Sequence, residues 1–478
     1  MKRLLFILIS TALIWSVHFG QTMSAPINVS NSPFNASKWG QCAFGPDGML
    51  HIVWEEDYHD SGGSDIFYVS YDGKNFSDPV NLKNSRNIDC RRAEITTNSA
   101  GGIFVVWDQH GGCYFVEYDP ERERWSSPFQ VSTSDWGGDE SYVAADSYGN
   151  VYITWFKDVG GAKCYSRSRI NGVWEDIFRL GSANKRSTQV GIAAGRDDQV
   201  WVIWREKQPN KEYKVYYRKR TRNTAWSEPK KINWGGASQT HPWITVGPDN
   251  VPVVSYADID KGTSAAESWI CTIDEDQFPR EKVVSLSLHH FSRVVIDGNL
   301  NKHLAWQIGP GTRGRGIRYK HNIGGQWNAT EIMANSGNGP KLPGIAADNG
   351  GNVAVTWSSS IPGRDKEIWL STLYPVIPLY PPIDRSLNIT VTNLKGTPEI
   401  VYDLSWERNP DNDEGRLRGY NIYKKENDGE WELLLSVNKS TRTASFTFTG
   451  AESRIQFGIK TVSIYDTEGK LAIFGIDE

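Results

Sequence analysis

The residues of this sequence best equipped for chemistry are Arg91, Arg92, Glu94, Glu140, Tyr142, His241, His290 and Arg293, and their spacing is regular. Each lies 16, 15 or 13 residues ahead of one of seven aromatic residues, Trp54, Trp107, Trp155, Trp204, Tyr256, Trp306 and Trp357. Counting back 15 or 16 residues gives Lys38 and Trp39, Arg91 and Arg92, Asp139 and Glu140, Thr188 and Gln189, Thr240 and His241, His290 and Phe291, Lys341 and Leu342. The column at 13 holds Gln41, Glu94, Tyr142, Gly191, Trp243, Arg293 and Gly344. Just past the markers come Glu55, Asp57, His59, Asp108, His110, Lys157, Arg205 and Asp258. Five of the eight histidines beyond the N-terminal signal (His59, His110, His241, His289 and His290) fall at this level.

This mixture suits a sugar, an acidic one above all. Histidine serves as acid or base near neutral pH, guanidinium forks match carboxylates with two parallel bonds, and aromatic faces stack on sugar rings. Glu140, His241 and His290 are the candidate catalytic residues. Trp39, Arg91, Arg92, Glu94, His110, Tyr142, Arg205 and Arg293 are the candidate ligand-binding residues. A hydrolase would pair Glu140 with Glu94 or Asp108. A lyase would use His241 or His290 as base and an arginine to neutralise a uronate. No histidine pair has tight metal-ligand spacing, so neither a metal nor a cofactor is expected.

The elements that position these residues follow from an internal repeat. "AFGPDGMLHIVW", "VAADSYGNVYITW" and "IAADNGGNVAVTW" are three of seven copies of one phrase, whose marker aromatics are 48 to 53 residues apart. Each is a short strand, a Gly/Asn/Asp turn and an alternating apolar strand. A second phrase follows, with Phe76, Trp125, Trp174, Trp226, Phe278 and Trp327 as its aromatic column. Four strands per period is the arithmetic of a β-propeller blade. The aromatic columns are expected to be inter-blade core, since radially packed sheets need large flat side chains. The seventh copy has only three strands, and "PINVSNSPFNASKWGQCAF" parallels "PVNLKNSRNIDCRRAEI". Pro26 to Val29 should therefore complete blade seven and close the ring. The loops entering each inner strand, and those joining the second and third strands, converge on one face.

Ser70, Asp72, Gly73 and Phe76 come nearest to a Ser-x-Asp-x-Gly-x-x-Trp box, one residue short. On these residues and the repeat, positions 26–374 resemble the sialidase-like (BNR-repeat) propellers. That resemblance implies a glycan or cell-surface polysaccharide as ligand, with glycoside hydrolase or polysaccharide lyase activity. There is no Arg-Ile-Pro motif, and classical sialidase activity is not implied. The alternative is a non-catalytic scaffold for protein partners.

Pro375, Pro378, Pro381 and Pro382 mark a linker at 375–383. Beyond it, Leu404-Ser405-Trp406, Gly419-Tyr420-Asn421-Ile422-Tyr423 and "IQFGIKTVSIYDTEG" make residues 384–478 similar to a fibronectin type III β-sandwich, a module that often serves as spacer or adhesive surface. The fold class expected is thus all-β, a seven-bladed propeller closed by its N-terminal strand plus this sandwich. The turn Asp411 to Gly415 lacks the spaced ligands of a calcium loop.

Lys2, Arg3 and the apolar run Leu4–Val17 read as an export signal within residues 1–25, placing the mature chain outside the cell or in a periplasm, with no membrane span. Five cysteines are too few for a disulfide framework, and Cys113 with Cys164 could form one bridge or remain two buried thiols. A net charge of −4 without a basic run argues against nucleic acid. No metalloprotease, phosphate-loop, nucleophile-elbow or paired-cysteine motif is present.

Overall fold

The computed structural model describes residues 22–475 except 33–35, 59–62, 84–87, 134–137, 159–160, 233–237, 260–265, 276, 285–288, 310–315, 335–338, 361–364, 393–398, 428, 450–453 and 465–466. Residues 1–21 of the expected export signal, and His59, lie outside the described residues. Among them there is no α-helix, and no helix is long and apolar enough to cross a membrane.

Each copy of the repeat forms its own antiparallel sheet. The turns after the inner strands are set by short acidic or amide side chains. Asp146 Oδ1 accepts from the Tyr148 and Asn150 amides at 3.0 and 2.9 Å, and Asp297 Oδ1 does the same for Asn299 and Asn301 at 2.9 and 2.8 Å. Such side chains compete with strand pairing and so end it. The seven inner strands are Ala36–Phe44, Cys90–Thr97, Asp139–Ala145, Ser187–Ala194, Ser238–Val246, His289–Ile296 and Lys341–Ala347. They pack one against the next in that order, and the last packs on the first. This cyclic arrangement of sheets is a propeller.

Packing explains the marker aromatics. Trp107, Trp155, Trp204 and Tyr256 are fully buried, and Trp54, Trp306 and Trp357 are nearly so. Each reaches back into the core of the preceding sheet. Trp155 lies among Phe104, Val106 and Phe115, and Trp54 among Ala354, Ile368 and Leu370 of the seventh sheet. Burying one such ring contributes on the order of 4–6 kcal/mol before side-chain entropy is subtracted. The second aromatic column is packed on the same cores. The seventh sheet takes its outer strand from the N-terminus. Ile27 pairs with Leu370 and Asn28 with Trp369, and the Val29 amide bonds to the Ile368 carbonyl at 2.8 Å. All five cysteines are buried thiols.

The proline-rich segment is not a free spacer. Val376 is buried in the core shared by the first and seventh sheets, and the Leu379 amide bonds to the Asp47 carbonyl at 2.5 Å. Gly73, at φ +96°, leaves room for the Val376 carbonyl where any Cβ would collide. Beyond it, Ile383–Thr392, Glu399–Glu407 and Thr443–Thr449 form one sheet, and Leu417–Glu426, Glu432–Asn438, Ile455–Ser463 and Ala472–Ile473 a second. Trp406, Tyr420 and Phe457 fill the core between them. Asn412, in the acidic turn, is buried and exchanges two 2.8 Å bonds with the Tyr380 backbone, so this turn anchors the linker.

Candidate functional site

All seven inner strands break register at the same point, between Lys38 and Gln41, Arg91 and Glu94, Asp139 and Tyr142, Thr188 and Gly191, Thr240 and Trp243, His290 and Arg293, and Lys341 and Gly344. Each break is a β-bulge. One residue of each adopts the left-handed conformation: Trp39, Arg92, Glu140, Gln189, His241, Phe291 and Leu342, all with φ between 49° and 56°. Glycine is the residue that such a bulge favours. Here none of the seven is glycine. Holding larger residues in that region costs on the order of 1–3 kcal/mol each. The sequence column at 15 residues before the marker is therefore a column of strained positions, none of them glycine.

The bulges leave backbone donors that side chains of the preceding sheet satisfy. Glu55 Oε2 accepts from the Arg92 amide at 3.3 Å, and Asp108 Oδ2 from Glu140 at 2.8 Å. Gln189 Oε1 accepts from His241 at 2.7 Å and Gln307 Oε1 from Leu342 at 2.9 Å. Asp108 is thereby committed to structure, since its other oxygen accepts from the Ser141 hydroxyl at 2.6 Å.

The bulge side chains meet one another over the ring axis. Trp39 and Phe291 stand edge to face at 6.4 Å although the seventh sheet lies between theirs, and His241 packs on Phe291 at 4.7 Å. The Arg92 guanidinium lies 5.6 Å over the Trp39 ring, pairs with Asp139, and reaches Asp108 at 3.8 Å and Glu140 at 4.0 Å. The mouth is thus an aromatic arc, His241–Phe291–Trp39, continued by a charged arc, Arg92–Asp139–Glu140.

Below this ring the channel is closed. Arg293 crosses from the sixth sheet to the second, where Nη2 bonds to Glu94 Oε1 at 2.6 Å and Nη1 to Glu94 Oε2 at 3.2 Å, with Gln41 Oε1 also accepting. The same guanidinium lies 4.0 Å over Trp243, which meets Tyr142 edge-on at 5.8 Å. Glu94 and Arg293 neutralise each other as the floor of the basin.

The other candidates are dispersed. Arg91 is exposed and pairs with Asp89, away from this cluster. His110 is exposed in a two-residue hairpin turn with Gly111, both at positive φ. The side chain of His290 is outside the described residues. Arg205 stands at the rim, bonded to Thr188 and Thr240 and stacked on Tyr213 at 4.3 Å. Tyr213 was not legible as a site residue, because it begins a third strand and falls in none of the columns.

Burial tunes the carboxyls. It raises Glu140 above the ordinary carboxylate range, with Arg92 opposing. It pushes Asp108 up to about 7, against the Ser141 hydroxyl. A carboxyl raised in this way keeps its proton in the native state when the unfolded chain has lost it. Its stabilising contribution is complete below about pH 4 and is lost as pH climbs to about 7. The stability of the wild type relative to Asp108→Asn should therefore fall across that window, by at most about 1.4 kcal/mol per pH unit, and level off above it. Urea unfolding of both proteins between pH 4 and 8 checks this. A difference that grows with pH would show the carboxylate form to be favoured instead.

Among the described residues no three His, Cys, Asp or Glu side chains come together to hold a metal ion. No protein-family model matches the chain, and no curated protein matches it in sequence. Solved structures do match. A fungal alcohol oxidase of the AA5 family, in complex with copper, is 9% identical, with TM-score 0.51 over 95% of this chain and 99% of its own. The GH93 α-L-arabinofuranosidase of Fusarium graminearum with arabinobiose is 11% identical, with TM-score 0.41 over 73% of this chain and 97% of its own. An α-L-arabinanase of Penicillium chrysogenum with arabinobiose is 8% identical, with TM-score 0.43 over 74% of this chain and 100% of its own. At such identities the likeness is one of fold alone.

Proposed function

We propose that the chain is a secreted seven-bladed propeller, joined to a fibronectin type III domain, that binds a glycan in the basin above Arg293 and Glu94. One observation carries this reading. Seven strained positions that backbone geometry would give to glycine instead carry larger residues, and of these Trp39, Phe291 and His241 stack in one arc with Arg92 and Glu140 beside it. An aromatic arc beside a charged arc matches a sugar, whose C–H faces stack and whose hydroxyls and acid groups hydrogen-bond.

In this reading the basin also hydrolyses its ligand. Glu140, whose carboxyl burial makes a weaker acid than usual, donates the proton to the leaving oxygen. Asp139, held by Arg92, is the second carboxylate, and it takes a proton from the water that attacks the anomeric carbon as the glycosidic bond breaks. Glu94 and Asp108 are spent on the floor and on the bulge.

Trp39→Ala should weaken glycan binding by roughly 1–3 kcal/mol, about 5- to 150-fold, the loss found when an aromatic platform under a nucleic-acid base is removed. Calorimetry on a panel of uronate-bearing polysaccharides, sialylated glycans and arabinan measures it. No binding by the wild type to any of them would remove the reading. A non-catalytic protein scaffold is favoured by a different observation, the engagement of Arg92, Glu94, Asp108 and Arg293 with one another. It predicts that no glycan is bound.

A further inference from the structure

Three of the arginines assigned to this face are matched by carboxylates: Arg91 by Asp89, Arg92 by Asp139 and Arg293 by Glu94. Arg205 is not. Its Nε bonds to Thr188 Oγ1 and its Nη1 to Thr240 Oγ1, both at 3.0 Å, while Tyr213 covers one face of the guanidinium at 4.3 Å. Among the described residues no carboxylate lies within ion-pair distance, and the Glu140 carboxylate acts on it through its charge from longer range. A guanidinium has five N–H donors, and two are used. Thr240 is held in turn by Gln189 and His241, at 3.3 and 3.0 Å, so the cation is fixed on the bulge ring itself. A partly buried cation left without a counter-charge is unfavourable for folding.

We propose that Arg205 is the anchor for a ligand carboxylate, which makes the glycan of this basin one that carries uronic acid. This assignment rests on the glycan reading above. The two hydroxyl bonds hold the guanidinium plane still, so its unused edge can meet a planar carboxylate with two parallel bonds. The lysine ammonium, a point charge, cannot reproduce that fork.

The test compares an oligogalacturonate with the same oligosaccharide reduced at its carboxyls, titrated into the full chain. The wild type should bind the acid form about 10- to 100-fold more tightly, the strength of a charge-assisted pair. Arg205→Lys should abolish that difference although the charge is kept. Arg205→Met should melt no lower than the wild type, because a structural arginine would be missed and a ligand anchor would not. Equal wild-type affinity for the two oligosaccharides would overturn the anchor and leave the glycan reading standing. A preference for the acid that survives in Arg205→Lys would place the carboxylate elsewhere and overturn it as well. Binding of neither, together with no binding across the wider panel, would remove both proposals.

Discussion

Arg293→Ala is expected to destabilise the propeller by about 3–5 kcal/mol, among the largest single-residue effects in the chain. The reason is what the substitution leaves behind. Glu94 is buried, both its oxygens are bonded to Arg293, and Gln41 leans on the same guanidinium. Removing the cation strands a carboxylate in a dry channel, which is far worse than losing a surface pair. The stacked Trp243 loses its partner as well. The double change Glu94→Leu with Arg293→Met should recover most of the loss, because apolar groups of similar volume replace a buried ion pair at little net expense. Thermal and urea unfolding of the two variants gives the numbers. If Arg293→Ala melts with the wild type, the channel is wet and the floor described above does not exist.

Glu140→Gln is expected to lower glycan hydrolysis by about 10²–10⁴-fold while binding persists. The side chain keeps its shape, and the backbone N–H of residue 140 still donates to Asp108, so the bulge is undisturbed. Only the transferable proton is lost. Assaying release of reducing ends, with affinity measured in parallel, separates the two quantities. Unsaturated products that absorb in the ultraviolet, formed equally by wild type and variant, would assign the base role to a histidine instead. Equal rates of reducing-end release would take Glu140 out of the chemistry.

Much of this arrangement could be read from residue spacing, and the reasons are physical. The marker aromatics repeat because each one packs into the sheet before it. Their column is therefore fixed by geometry that cannot drift, and counting back from it lands on Trp39, Arg92 and Glu140, the left-handed residues of their bulges. The bulge was not legible. A left-handed position announces itself in sequence by glycine or asparagine, and here Trp, Arg, Glu, Gln, His, Phe and Leu occupy it. Nor could spacing distinguish a side chain offered to a ligand from one consumed by the fold. Asp108 and Arg205 occupy the same column, one residue past the marker, yet Asp108 caps a bulge while Arg205 has no carboxylate partner among the described residues. Glu94 and Arg293 come from sheets two and six, and their union across the axis depends on a closed ring rather than on sequence distance. His110 sits at the right level but in a turn that points it to solvent.

The most direct measurement is a crystal structure of the full chain with a uronate oligosaccharide. The account predicts a sugar ring against the Trp39–Phe291 arc, its carboxylate on Arg205 and its glycosidic oxygen near Glu140. An oligosaccharide found in the cavity of about 430 Å³ that Arg196, Asp348 and Arg416 line on the opposite face, with the bulge ring empty, would contradict it.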